Sequence, residues 1–167
     1  AALAGKVLEE VATIVQGFAD NMATLAVAAS GATNPATGME IAQVAAGCME
    51  VGVGLHGEVG KAKPMATAEE TVSAMLDALL EDLNVLAEEK LMVIVSGSGA
   101  TSLMEQLIVY RNCYAYLVEK EIEIVASYVG ELMTVQEMAG FEICIARMNE
   151  ELVEYWNAPC RTPYFKK

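Results

Sequence analysis

Apolar residues recur every three or four positions in four segments of the chain, and this spacing is typical of amphipathic helices. The first segment is 3–22, where acidic residues separate the apolar positions. The second begins at Thr67, which precedes two glutamates as an N-cap residue does, and continues to Leu83. The same pattern predicts two more helices, over residues 102–119 and 150–156.

Short apolar runs between these helices predict strands. A glycine-containing loop, 96–101, joins one run to the helix at 102–119, and another run follows that helix. This order implies a crossover connection between neighbouring strands. The sequence therefore predicts a single layered domain of the α/β (or α+β) class over residues 1–167, with a mixed sheet of about five strands flanked by helices. The predicted strands are 24–29, 49–53, 91–95, 122–129 and 141–147.

The composition limits the possible partners. The chain carries 10 basic and 23 acidic residues, and we expect no nucleic acid partner because a net charge of −13 repels phosphates. Hydrophobic residues make up 54% of the chain, which indicates that one face packs against a partner. The longest charge-free stretch, 21–39, is too polar and too interrupted by glycine and proline to span a bilayer. We therefore expect no membrane association.

The four cysteines are widely spaced and include no CxxC pair. This spacing predicts neither a zinc site nor a redox motif, and it argues against a disulfide framework. We expect reduced thiols and a cytoplasmic protein.

His56 is the only histidine of the chain, and it lies in a turn with glycines at positions 52, 54, 57 and 60. A single imidazole excludes a multi-histidine metal site, and no metal site is predicted. A lone histidine in a loop is more often an incidental surface residue than a functional one. The glycines favour a functional role, because they permit unusual backbone angles and the close approach of a ligand. Glu58, beside the histidine, is the one acidic residue with a reasonable role in such a site.

The loop 96–101 is a second candidate feature. It joins a strand to a helix, where main-chain N–H groups could hold a phosphate. The loop lacks the lysine of a Walker A sequence, and we favour a plain strand-to-helix turn over an anion site.

Four segments, in the same order along the chain, resemble motifs of one family. Residues 49–58, with the sequence MEVGVGLHGE, are similar to a motif that reads approximately E-x-G-x-G-I-H-G-E-P-G. Residues 99–105 resemble L-G-A-T-P-L-x-E, residues 127–140 resemble S-Y-V-G followed by M-T-S-L-x-M-A-G, and residues 156–163 resemble W-D-A-P-x-x-T-P. These motifs belong to the substrate-binding subunit of dihydroxyacetone kinases. The resemblance covers nearly the whole chain and implies that residues 1–167 are the C-terminal domain of such a subunit.

The resemblance implies a chemical role for His56. In this family the motif histidine forms a hemiaminal with the ketone carbon of dihydroxyacetone. His56 would then be the catalytic residue and would bind the substrate together with Gly57 and Glu58. A neutral imidazole nitrogen is a competent nucleophile toward a ketone, and the bond would discriminate against glycerol, which has no carbonyl group. A terminal hydroxyl of the held ketose would accept the phosphoryl group.

The resemblance also implies partners. An N-terminal domain of the same subunit would supply further polar groups around the substrate, and a nucleotide-binding subunit or domain would donate the phosphoryl group. ATP with magnesium, or a phosphoryl-donor subunit, is therefore expected on a partner, and no cofactor is expected on this chain. We expect a homodimer and no kinase activity from the chain alone.

Two departures from the family pattern leave the substrate and the activity open. Val59 stands where the family commonly has proline, and residues 95–99 read V-S-G-S-G where the family has V-N-x-L-G. These changes leave room for a related ketose such as a tetrulose. They also leave open a non-catalytic sensor or coactivator that binds dihydroxyacetone through His56. A third reading is a structural or dimerisation domain in which the histidine is inert.

Overall fold

The computed structural model describes residues 1–54 and 58–167, and it shows a mixed sheet with helices on both faces. The predicted fold class is confirmed. The strands are β1 (Met22–Ala28), β2 (Ala32–Thr33), β3 (Glu40–Ala42), β4 (Cys48–Val51), β5 (Lys61–Pro64), β6 (Lys90–Gly97), β7 (Glu123–Gly130) and β8 (Gly140–Arg147). The helices are α1 (Leu8–Ala19), α2 (Ala68–Leu83), α3 (Leu103–Glu119) and α4 (Glu150–Asn157). In the described part of the chain, no helix has the length and apolar character that crossing a membrane requires.

Six of these strands form one sheet in the order β5-β4-β1-β8-β6-β7, and β2 pairs with β3 in a separate hairpin. β6 and β7 run parallel and α3 connects them, which confirms the predicted crossover. The other neighbours in the sheet are antiparallel. The sequence pattern misses β5 because this strand, Lys-Ala-Lys-Pro, is exposed throughout at the sheet edge and has no apolar alternation.

The first face of the sheet, which α2 and α3 cover, carries the main core. The odd-numbered positions of β6 and β8 point to this face, and they pack against apolar residues of both helices. Because side chains alternate along a strand, the even-numbered positions are thereby fixed on the opposite face. The fully buried residues of the first face include Val72, Leu76, Leu91, Val93, Val95, Leu117, Ile143 and Ile145.

The second face is covered by different elements at its two ends. At one end, Phe18 of α1 and Trp156 of α4 pack against Met92 and Ala146. At the other end, the β2–β3 hairpin takes the place of a helix, since Ala32 of β2 packs in a separate small cluster with the end of β1. α1 is shorter than predicted, because a 3-10 turn occupies the start of the predicted range and β1 already begins at its end.

Side-chain caps begin α2 and α3. The Thr67 hydroxyl accepts a hydrogen bond from the Glu70 N–H, and the Glu70 carboxylate accepts one from the Thr67 N–H at 3.0 Å. The carboxylate also accepts a hydrogen bond from the Thr67 hydroxyl, and the two bonds that it accepts lower the pKa of Glu70. Ser102 and Glu105 form the same reciprocal arrangement at α3. The predicted N-cap at Thr67 is confirmed.

All four cysteines are free thiols, as the sequence predicts. Cys113 and Cys144 are buried, and burial raises the pKa of the Cys113 thiol to about 12. This thiol therefore stays protonated and weakly nucleophilic near neutral pH.

Candidate functional site

A cleft of about 560 Å³ lies on the second face of the sheet, beside the β2–β3 hairpin. Alternate residues of β1, namely Thr24, Ala26 and Ala28, form part of its floor. The small alanine side chains leave space above the sheet that larger residues would fill. The walls come from the hairpin and from the segment between β7 and β8, through Ile41, Ala42, Gln43, Val44, Met133, Val135 and Met138.

The carboxylate of Glu142 lies at the floor of this cleft, on β8. Its Cα pairs with Ala26 on one side and with Ser96 on the other, so it occupies the middle of the sheet. The fully buried Ser96 hydroxyl lies beside this residue on the same face of the sheet. It donates a hydrogen bond to the Gly97 carbonyl oxygen at 3.4 Å and accepts one from the Leu132 N–H at 3.1 Å. Burial raises the pKa of Glu142, and the neighbouring Ser96 hydroxyl opposes that effect. Glu142 is therefore a partly desolvated acceptor that faces the open space of the cleft.

Two residues of the motif at 49–58, one on each side of His56 in the sequence, line the same cleft. Gly54 and Glu58 stand on either side of residues 55–57, and the Gly54 N–H donates a hydrogen bond to the Glu58 carbonyl oxygen at 3.0 Å. A Cβ atom at position 54 would lie 2.0 Å from Oε2 of Glu58, so only glycine leaves room for this carboxylate. The two residues that border the segment 55–57 thus lie at the rim of the cleft. His56 and Gly57 lie outside the described residues, and their roles stay predictions.

The loop at 96–101 uses its main-chain donors within the protein. The Ser98 N–H donates to the Gly140 carbonyl oxygen, and the Ala100 N–H donates to the Met138 carbonyl oxygen, each at 3.0 Å. The Glu105 carboxylate accepts a hydrogen bond from the N–H of Ser102, the N-cap residue of α3. Because these groups are already hydrogen-bonded and a carboxylate stands at the helix N-terminus, the structure favours a turn over an anion site.

The charged side chains of the described residues that line the cleft are acidic. Glu50 on β4 and Glu142 on β8 are half-buried, and Glu58 is exposed at the rim. Among the described residues that line the cleft, none is a lysine or an arginine. Thr24 and Ser98 add hydroxyl groups. The lining therefore offers many hydrogen-bond acceptors, which suit the hydroxyl groups of an uncharged polyol.

Sequence reasoning misses two of these carboxylates. Glu142 is the only charged residue between Gly140 and Arg147, and a lone charge in an otherwise apolar buried strand is a signal that could have identified it. Glu50 belongs to the motif at 49–58 and precedes its first glycine by two residues, yet the direction of its side chain depends on how β4 pairs with β1. The sequence pattern also misses the hairpin wall, because β2 and β3 have only two and three residues.

Comparison with known families and proteins gives consistent matches along the chain. The profile of the Dak1 domain matches residues 1–164. The dihydroxyacetone-binding subunit DhaK of PTS-dependent dihydroxyacetone kinase 2 from Listeria innocua is 35% identical over 167 residues, which are 99% of this chain and 50% of that protein. L-erythrulose kinase from Pectobacterium atrosepticum is 34% identical over 172 residues, covering 100% of this chain and 29% of that protein. The chain thus spans half or less of the length of these two relatives.

A solved structure has the same fold. The dihydroxyacetone kinase operon co-activator Dha-DhaQ superposes with a TM-score of 0.85 over 92% of this chain and 48% of its own. The two sequences are 22% identical, so this likeness concerns the fold alone. The six-stranded sheet and its flanking helices therefore form an arrangement already known from experiment.

Proposed function

The chain belongs to the Dak1 domain family, and from this membership we propose that it is the histidine-bearing part of a short-ketose kinase. In this proposal residues 1–167 are the C-terminal domain of a substrate-binding subunit. The observation that carries the proposal is the motif at 49–58, because Gly54 and Glu58, on either side of His56, line a mainly apolar cleft in which three carboxylates offer hydrogen-bond acceptors. A small polyhydroxy ketone offers little apolar area, so a covalent bond is an effective way to hold it.

The proposed capture step forms a hemiaminal on His56. The unprotonated imidazole nitrogen donates its lone pair to the ketone carbon, and the carbonyl π electrons move onto oxygen. The proton on the other ring nitrogen is lost as the carbonyl oxygen gains one, so the adduct is uncharged. A terminal hydroxyl of the held ketose is then positioned for phosphoryl transfer. Gly57 and Glu58 would contribute to the same substrate site.

The substrate is a ketose of three or four carbons. The Listeria innocua relative is named for dihydroxyacetone and the Pectobacterium atrosepticum relative for L-erythrulose, at nearly equal identity to this chain. Both ketoses carry the carbonyl group that the capture step needs. Glycerol lacks it and is expected to be rejected.

The proposal requires partners for phosphoryl transfer. An N-terminal domain of the same subunit completes the substrate site, and a separate subunit or domain donates the phosphoryl group from ATP with magnesium or from a phosphoprotein. A homodimer in the cytoplasm is the proposed setting. The chain spans about half of the Listeria innocua subunit, which is consistent with a second domain in the complete protein.

A coactivator that binds the ketose without transferring phosphate is the second candidate. The V-S-G-S-G sequence at 95–99, which departs from the V-N-x-L-G of the family pattern, supports it. Both candidates share the capture of a ketone by His56. They differ only in whether the held ketose meets a phosphoryl donor.

Phosphoryl transfer by the complete protein tests the kinase proposal. The protein is supplied with ATP and magnesium, or with a phosphorylated donor subunit, and with dihydroxyacetone, erythrulose or glycerol in turn. We expect phosphorylation of a ketose, none of glycerol, and none by the 167-residue chain alone. Ketose binding without transfer from any donor would favour the coactivator, and failure to bind either ketose would contradict both candidates.

The pH dependence of ketose binding tests the capture step. Only the neutral imidazole attacks, so affinity is retained above the pKa of His56 and is lost as the pH falls below it. With the ordinary histidine pKa of about 6.5, binding at pH 5 is expected to be roughly 30-fold weaker than at pH 8. Titration calorimetry across this range, with circular dichroism to confirm folding, measures the effect. A constant affinity would argue against a hemiaminal.

A further inference from the structure

We propose that Glu142 is a specificity-determining residue that keeps phosphorylated ketoses out of the cleft and so favours the uncharged ketose. The inference rests on the proposed function, because it concerns the same cleft. The inference adds to the proposed site a residue at the floor of the cleft, Glu142, which is distant in sequence from the histidine motif at 49–58.

The position of Glu142 gives it access to the cleft. β8 lies between β1 and β6, and at this position its neighbours are Ala26 and Ser96. Ala26 is too small to cover the carboxylate, and Ser96 lies beside it on the same face, fully buried under the Leu132 backbone that hydrogen-bonds to its hydroxyl. Glu142 therefore faces the space between the floor and the hairpin wall, within the same lining as Gly54 and Glu58.

Among the described residues that line the cleft, Glu142 has no cationic neighbour. Its neighbours across the sheet, Ala26 and Ser96, are neutral, and the described lining contains no lysine or arginine. Glu142 is also half-buried, so water screens its field less than that of a surface glutamate. A phosphate monoester carries nearly two negative charges at neutral pH and is repelled from such a site.

An uncharged ketose is attracted to the Glu142 carboxylate rather than repelled by it. Its hydroxyl groups donate hydrogen bonds, and an ionised carboxylate is a strong acceptor for them. The same side chain thus accepts the substrate and rejects its phosphorylated product. In a kinase this selectivity limits product inhibition, and in a sensor it prevents a response to phosphorylated metabolites.

Substitution of Glu142 in the complete protein tests the inference. Glu142→Gln removes the charge and keeps the shape, whereas Glu142→Asp keeps the charge. Affinities for dihydroxyacetone and for dihydroxyacetone phosphate are measured by calorimetry at pH 8, because an alkaline pH favours the ionised carboxylate against the burial that raises its pKa. We expect Glu142→Gln to raise the affinity for the phosphate relative to the ketose by about tenfold, and Glu142→Asp to retain most of the discrimination.

A matched control separates the local charge from the net charge of the protein. Glu123 begins β7 at the opposite end of the sheet and is exposed, so Glu123→Gln makes the same charge change away from the cleft. This control is expected to leave the affinity ratio as it is in the unmodified protein. High salt is expected to reduce the difference between the unmodified protein and Glu142→Gln.

The possible outcomes distinguish this inference from the proposed function. If the unmodified protein binds dihydroxyacetone and Glu142→Gln leaves the affinity ratio unchanged, the specificity role is wrong and the capture proposal stands. An equal change in both affinities in Glu142→Gln would likewise overturn the specificity role. If the unmodified protein binds neither ligand, the proposed function fails and this inference fails with it.

Discussion

Replacing His56 with alanine is expected to abolish covalent capture of the ketose by the complete protein. No other histidine exists in the chain to take its place. Without that covalent bond, the ketose is held only by hydrogen bonds, and water offers this very polar ligand equally good ones. We therefore expect the affinity for dihydroxyacetone to fall by at least about 100-fold, as measured by calorimetry.

A second substitution at the same position shows whether His56 holds the ketose through a covalent bond or through a hydrogen bond. His56→Asn keeps a polar side chain of similar reach but cannot add to a ketone. It is expected to bind dihydroxyacetone as poorly as His56→Ala does. Substantial binding by His56→Asn would mean that a hydrogen bond holds the ketose, and unchanged binding by His56→Ala would show that the histidine is inert.

Replacing Gly99 with alanine is expected to destabilise the fold by about 3 kcal/mol or more. Gly99 has a φ of +126°, a backbone conformation that side chains rarely allow. A Cβ atom there would lie 2.0 Å from the carbonyl oxygen of Gln136, so the loop has to move. That loop is held to Met138 by the Ala100 N–H hydrogen bond, and Met138 lines the cleft. Thermal unfolding is expected to occur roughly 10 °C lower than in the unmodified chain.

Gly17 provides the matched control for this substitution. It lies within α1, and a Cβ atom there would meet nothing within 4 Å. Gly17→Ala is therefore expected to stabilise the chain slightly, by up to about 1 kcal/mol, because alanine has the higher helix propensity. Equal unfolding temperatures for Gly99→Ala and Gly17→Ala would show that the loop tolerates a side chain and would contradict the geometry at Gly99.

Local signals in the sequence predict the elements that surround the core. Thr67 followed by two glutamates predicts the start of α2, since a capping box depends only on residues that are close in sequence. The crossover from β6 through α3 to β7 is predicted because two apolar runs flank a long segment with helical spacing, and few other chain topologies fit this order. These elements supply the first face of the sheet and most of the buried core.

The cleft depends on information that a local pattern does not contain. Glu142 faces the cleft because β8 pairs with β1 and β6 in one particular register, and that register is set by the whole sheet. β3 is too short for an alternating pattern, yet it contributes Ile41 and Ala42 to the wall. The motif around His56 is recognised by the identity of its residues rather than by periodicity. The structure shows that Gly54 and Glu58, one on each side of His56 in the sequence, line the cleft.

Covalent capture of the ketose by His56 is most directly tested by carbon NMR. Dihydroxyacetone labelled at its carbonyl carbon is mixed with the complete protein and, separately, with the His56→Ala variant. We expect a protein-bound signal shifted from the ketone region to the region of a tetrahedral carbon, and no such signal with the variant. Absence of this signal from the folded, complete protein would contradict covalent capture and would mean that the fold is kept without the chemistry.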